Sequence, residues 1–203
     1  MVGRGRDVRP FAGYHPFMWK QRSWTSGWRS IAAAALLGCA FSGCSGDGPT
    51  GPEPASLLEM FGNQLLRADG STVDAGALDD TAVIGIYFAS TGCPACGAFT
   101  PVLVDVYDQL QEDGRSFEVV LVIAGVTESA LVDHMADSGM SWLAVPSQSS
   151  RTKALARLYN VLWVPTLVII DGATNTVSLN GREEVTQNGA AAFDAWLDAS
   201  VGN

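Results

Sequence analysis

Two of the four cysteines in this 203-residue chain, Cys93 and Cys96, stand three positions apart in Ser90-Thr-Gly-Cys-Pro-Ala-Cys-Gly97. Thiols at that spacing suit three uses: exchanging electrons with another disulfide, closing a short structural bridge, or supplying half of a metal site. A structural zinc site takes about four ligands, and beyond the N-terminal region the only other Cys or His is His134. A bridge across so short a loop removes little entropy from the unfolded chain and therefore stabilises little. Gly92 and Gly97 flank the pair and leave the sulfurs lightly covered, unlike inert cysteines in a core. Redox exchange is the chemistry this pattern favours, with no metal.

The pair sits where a strand runs into a helix. Thr81–Phe88 is apolar almost throughout, as in a strand covered on both faces. After Gly92, the residues Phe99, Val102, Val106 and Leu110, with Leu103 beside them, recur at helical spacing and predict one apolar stripe. A helix N-terminus presents unpaired N–H groups and the positive end of the peptide dipoles, which stabilise a thiolate over a thiol. Cys93, outermost, is the expected nucleophile. Cys96, one turn further in, is placed to attack a mixed disulfide at Cys93 and release the product. Pro94 suits the start of the helix, where its missing N–H has no intrahelical partner to lose. Pro101 falls inside the pattern and is expected to kink it, and Gly114 to end it.

Other segments supply the frame. Gln64–Arg67 and Thr72-Val73 flank Asp69-Gly70, a hairpin signal, and Ala75–Asp80 reads as a connector or single helical turn. Phe117–Ala124 predicts a second buried strand. Thr127 can cap a helix with Glu128 favouring its dipole and Leu131, Val132 and Met135 on its buried side. Trp142–Pro146 is a short extended segment. Ser149 or Ser150 opens a helix with Leu155, Leu158 and Tyr159 on one side, and on the other Arg151, Lys153 and Arg157 as a positive patch or simply a solvated face. Thr166–Ile170 and Thr176–Leu179 form a hairpin around Asp171-Gly172 and Asn175, and Phe193, Trp196 and Leu197 give a last helix its core side. This order describes an α/β sandwich with a mixed sheet, and a body of about 150 residues is enough to bury one core.

Charge divides the chain. Arg4, Arg6, Arg9, Lys20, Arg22 and Arg29 are six of its twelve basic residues, whereas from Ser45 onward six basic residues face twenty acidic ones, a formal charge of −14. So acidic a body argues against nucleic acid or an anionic membrane surface as partner. The apolar run Ile31–Phe41, eleven residues long, is shorter than the roughly 20 residues a membrane-spanning helix needs. Behind a basic start and before small residues, it reads as a secretory signal, with Met18 a more ordinary start than Met1. Leu36-Leu-Gly-Cys39 and Phe41-Ser-Gly-Cys44 both resemble the bacterial lipoprotein cleavage box, in which the cysteine becomes lipidated and N-terminal. Cys44 has small residues before it and a flexible Ser-Gly-Asp-Gly-Pro-Thr-Gly-Pro-Glu-Pro tether behind it, which favours it over Cys39. Ordinary cleavage to a soluble secreted protein is the alternative. The expected organisation is a signal in 1–44, a tether in 45–56 and one domain in 57–203. That domain would work outside the cytoplasm, lipid-anchored on the periplasmic side of a bacterial membrane, where a dithiol needs a source of electrons to act as a reductase.

The ordered strings Y-F-A-S-T-G-C-P-A-C-G-A-F-T-P-V-L, F-E-V-V-L-V, W-L-A-V-P and V-L-W-V-P-T-L-V-I-I-D resemble the thioredoxin fold, and within it the tryparedoxin and nucleoredoxin branch, over roughly Gln64 to Val185. The resemblance implies an α/β/α sandwich with a central mixed sheet, Cys93 as the attacking and Cys96 as the resolving cysteine. It further implies that Pro165 follows a cis peptide bond and that its loop faces the two sulfurs, with the Val164 backbone able to pair with an extended substrate segment. Three departures stand out. Gly92 replaces the family's usual Trp, Pro94-Ala95 its frequent Pro-Pro, and Gly97 its basic residue. Losing the Trp exposes the sulfur and alters the surface that Gly92 and Pro94 offer a substrate. Thioredoxins proper hold a buried Asp six residues before the first cysteine; Tyr87 stands there, as in the tryparedoxin-like branch, so deprotonating Cys96 needs water or another base.

The expected activity is thiol–disulfide exchange with protein disulfide or dithiol clients, served by a thiol electron donor, by a monomer needing no cofactor beyond the Cys93–Cys96 pair. The rival expectations are a non-catalytic binding or chaperone module with a static disulfide, and a carrier that hands over a metal or a haem-ligand thiol.

Overall fold

The computed structural model describes residues 54–201. Its elements follow in the order α1 (Leu57–Phe61), β1 (Gln64–Leu66), β2 (Thr72–Asp74), a 3-10 turn (Ala75–Leu78), β3 (Val83–Phe88), α2 (Pro94–Glu112), β4 (Phe117–Val122), α3 (Glu128–Asp137), β5 (Leu143–Ala144), α4 (Ser150–Leu158), β6 (Thr166–Asp171), β7 (Thr176–Ser178), α5 (Gly181–Asn188), a second 3-10 turn (Gly189–Ala191) and α6 (Ala192–Val201). The predicted signal, with Cys39 and Cys44, and most of the tether lie outside the described residues. At the tether's end, Thr174 Oγ1 donates to the Pro54 carbonyl at 2.7 Å, so the chain already lies against the domain at Pro54.

All seven strands form one sheet in the order β2-β1-β5-β4-β3-β6-β7. β3 runs parallel to β4 and antiparallel to β6, and all six of its residues are buried. Side chains alternate across a strand, so β3 feeds two cores. Val83 and Tyr87 join Leu103, Phe117, Trp142, Phe193 and Trp196 on the face that carries α2 and α6. Ile84, Ile86 and Phe88 join Phe61, Leu155 and Tyr159 on the face that carries α1 and α4. A mixed sheet between two helical layers results, the expected α/β/α sandwich.

The helices start where side chains can take the first N–H groups. Ser56, Thr127 and Ser149 each cap one, accepting from Glu59 N–H, Ala130 N–H and Arg151 N–H at 3.1, 3.2 and 3.1 Å. Ser149, not Ser150, is therefore the cap of α4. Arg151 donates to the Glu59 carbonyl and ties α4 to α1, so it is not a free member of a positive patch. α2 continues through Pro101 to Glu112.

One expectation changes and two elements are added. Val102 is not part of the stripe of α2: it is 39% exposed, and the buried line is Cys96, Phe99, Leu103, Val106, Tyr107 and Leu110. Leu103 therefore occupies the centre of the face, and Val102 has turned about 100° from it, the rotation of one helical residue. α1 and α5 were not anticipated. α1 spans only five residues, too few for periodicity to register, although Ser56-x-x-Glu59 is a capping signature. α5 buries only Gly181 and Val185, and polar contacts hold it: Glu184 accepts from Trp196 Nε1 at 2.6 Å and from Ser178 Oγ at 2.8 Å.

Leu103, fully buried, should lose about 2–5 kcal/mol of unfolding free energy on Leu103→Ala. Its neighbour Val102→Ala should change stability by less than about 1 kcal/mol. Urea unfolding of the two variants checks the reassigned stripe.

Candidate active site

Register brings the site together. β3 pairs with β6 up to Phe88↔Thr166, so the residues just after β3 and those just before β6 emerge at the same end of the sheet. The first group is the Ser90–Cys93 turn. It closes through Cys93 N–H to the Ser90 carbonyl at 3.3 Å and passes Gly92 at φ +77°, a conformation that favours glycine. The second is Val164-Pro165, joined by a cis peptide bond. Between them the Cys93 sulfur lies 3.9 Å from the Val164 carbonyl oxygen.

Cys93 is itself the cap of α2. Its backbone is extended (φ −82°, ψ 113°), and its sulfur accepts the Cys96 N–H at 3.2 Å, as a Ser or Asp oxygen does at other helix starts. Pro94 occupies the first helical turn. Cys93 is half-buried and Cys96 only 3% exposed. The two thiols consequently titrate in opposite directions. Hydrogen bonds from the Cys96 thiol and then from the Cys96 N–H hold Cys93 below the ordinary thiol range. Burial, reinforced by the hydrogen bond to Cys93, pushes Cys96 up to about 11. The outer sulfur is a thiolate at lower pH, and the inner one stays a thiol.

Behind the cysteines Tyr87 packs edge-on to Phe99 and Trp142, with ring centroids 5.8 and 6.3 Å away, and its hydroxyl lies 2.8 Å from Thr100 Oγ1. Burial raises the phenol to about 12, so it remains protonated and neutral beside the sulfurs. A groove of about 550 Å³ runs past both sulfurs, with Gly92, Pro94 and Thr100 on one side and His134, Asp137 and Ser138 of the α3 end on the other. It gives water a route to Cys96. Among the described residues, no group of three or more His, Cys, Asp or Glu side chains is placed to hold a metal ion. No helix among them is long and apolar enough to cross a membrane.

Of the residues singled out in the sequence, Gly92, Cys93, Pro94, Cys96, Val164 and Pro165 meet at this one end of the sheet, while Cys39 and Cys44 are outside the described residues. Four others have no place at the site in that reading. Thr100 and His134 carry no local motif and reach the groove only through helix geometry. Leu162 and Trp163 stand in the string V-L-W-V-P-T-L-V-I-I-D without a role of their own, yet they are 71% and 70% exposed on the loop that carries Pro165. A Trp two positions before that proline was the available signal.

A thioredoxin-like family model matches residues 80–177. Thioredoxin-related protein 16 of Carcinoscorpius rotundicauda is 34% identical, with a TM-score of 0.60 covering 68% of this chain and 97% of that structure. This chain belongs to the thioredoxin-like family. Tryparedoxin from Trypanosoma brucei is 30% identical at a TM-score of 0.58, covering 66% of this chain and 91% of its own. Nucleoredoxin of Danio rerio is 35% identical over 149 residues, which are 73% of this chain and 34% of that protein. The chain thus spans about a third of the length of the nucleoredoxins it matches. Thioredoxin-like architecture also accounts for where the pair sits, at the junction of a central strand with the following helix.

Opposed titration has a direct readout. Iodoacetamide at pH 7 should alkylate Cys93 of the reduced protein and leave Cys96 intact. The rate at Cys93 should level off below the ordinary thiol pKa of about 8.5, and Cys96 should react only as pH approaches 11. A protein stabilised by a neutral buried thiol loses that stability once the thiol ionises, so the reduced form should also become less stable from about pH 9 to 11. Peptide mapping and alkaline melts check both.

Proposed function

We propose that this thioredoxin-like protein is a thiol–disulfide oxidoreductase acting on protein disulfides through Cys93 and Cys96. The observation that carries the reading is the asymmetry of the pair: a half-buried sulfur with a lowered pKa caps a helix beside the Val164 carbonyl, and a buried thiol with a raised pKa lies one turn behind it. Cys93 thiolate attacks one sulfur of a client disulfide. A Cys93–client disulfide forms, and the client's second sulfur leaves as a thiolate and takes a proton. Cys96 then gives up its proton and attacks the Cys93 sulfur; the Cys93–Cys96 disulfide forms and the client's first sulfur departs. Two electrons have passed to the client, and a dithiol donor returns the pair to the reduced state by the same steps in reverse. The Val164 backbone and Pro165 receive the client chain, with Gly92 and Pro94 forming the rest of the rim. No metal or organic cofactor enters the scheme.

The basic start, the apolar Ile31–Phe41 run and the Cys44 context support a protein held by a lipid outside the cytoplasm, on the periplasmic side of a bacterial membrane. Electrons would then come from a membrane or periplasmic thiol protein.

In an insulin turbidity assay, Cys93→Ser should abolish reduction. Cys96→Ser should lose turnover and accumulate a mixed disulfide at Cys93, visible on a non-reducing gel. Full activity of Cys93→Ser would refute the scheme. Fatty-acid labelling in a bacterial host should persist in Cys39→Ser and vanish in Cys44→Ser.

A further inference from the structure

Among the described residues six large hydrophobic side chains are exposed, and three of them, Leu162, Trp163 and Leu179, line one hollow with Pro165. Leu162 and Trp163 form a ridge between that hollow, of about 230 Å³, and a second of about 260 Å³ lined by Phe88, Ala89 and Val164. Trp163 directly precedes Val164, whose carbonyl is 3.9 Å from the Cys93 sulfur. Thr166 Oγ1 donates to the Trp163 carbonyl at 2.8 Å, which pins the ridge to the start of β6.

We propose that Leu162 and Trp163 select the client: they favour a disulfide carried in an extended polypeptide with a bulky apolar residue beside its cysteine over a small soluble disulfide. The inference rests on the exchange reading above and names the class of substrate for that site. Two observations identify the occupant. First, among the described residues Val164 makes no backbone–backbone hydrogen bond, its carbonyl accepting only from the Cys93 thiol at 3.9 Å, because the pairing of β6 with β3 begins at Thr166. An extended chain can satisfy that backbone by strand addition, and doing so lays its side chains along Trp163. Second, the two hollows are smaller than the roughly 300–1,000 Å³ of small-molecule sites, so they fit single side chains on either side of a ridge better than a compact ligand. The only charged groups in the hollow beside Pro165 are Arg182 and Glu183, one of each sign, which offers a highly charged small disulfide no net attraction. Covering about 55 Å² of the indole is worth roughly tenfold in affinity at about 25 cal/mol per Å².

The test compares kcat/KM of the full chain and of Trp163→Ala on two substrates. One is a linear peptide with one internal disulfide and Leu-Phe beside its first cysteine; the other is bis(2-hydroxyethyl) disulfide. The ratio of the two rate constants should fall about tenfold in the variant, through KM for the peptide, and Trp163→Phe should restore most of it. An unchanged ratio, whether both rates hold or both fall together, overturns the proposal, as does Trp163→Phe behaving like Trp163→Ala. Retained activity of Cys93→Ser on both substrates would instead refute the exchange reading itself.

Discussion

The pairing of β3 with β6 is the constraint on which the site depends. Six residue pairs, from Val83↔Asp171 to Phe88↔Thr166, fix where each strand stops. Beyond their shared end the two backbones diverge, one into the cysteine turn and the other into the Val164-Pro165 loop. A slip of one residue would turn Tyr87 and Ile86 to the wrong cores, because side chains alternate across a strand. Two cores filled by one strand therefore hold a register that the site needs but does not itself enforce. This is why a reactive turn lined by glycines can keep a sulfur 3.9 Å from a carbonyl of a loop 71 residues away.

Within that frame the chemistry comes from unequal burial of two like groups. Both thiols sit at the same helix end, and only their depth differs. The outer sulfur replaces the oxygen of a normal helix cap and accepts the Cys96 N–H, while the inner one is buried and its ionised form is penalised by that burial. A pair in which both sulfurs were buried would be slow to attack. A pair in which both were exposed would leave the resolving thiolate open to competing reactions.

Much of this was legible in the residues. The apolar block before Gly92, the Cys93–Cys96 spacing and Pro94 indicated the strand, the turn and the helix because each carries a strong local preference. The mixed sheet followed from the alternation of elements, and the loop around Pro165 came from resemblance, since no local rule joins residues 71 positions apart. Val102 was misplaced because two adjacent apolar residues fit a helical stripe almost equally well, and packing against the sheet chose Leu103. The short helix at Leu57 has too few turns for a period. Trp163 was hidden for a different reason: hydrophobicity predicts burial, and an aromatic side chain left in water is a departure from that rule which only the folded chain reveals.

The absence of a carboxylate behind the pair has a consequence for the second step of exchange. Tyr87 occupies that place, and its phenol, raised to about 12 and within 2.8 Å of Thr100, takes no proton from Cys96. Part of what raises Cys96, however, is Cys93 itself, through the hydrogen bond between the sulfurs and through repulsion by the thiolate. Once Cys93 is tied into a mixed disulfide its charge is gone and both contributions disappear, while the burial cost remains. The inner thiol thus becomes easier to ionise at the stage when it must attack, and the groove that passes Cys96, His134 and Asp137 leaves an opening by which its proton can depart. In the proposed scheme the first covalent step itself lowers the barrier to the second, a role that other members of the fold assign in part to a buried acid.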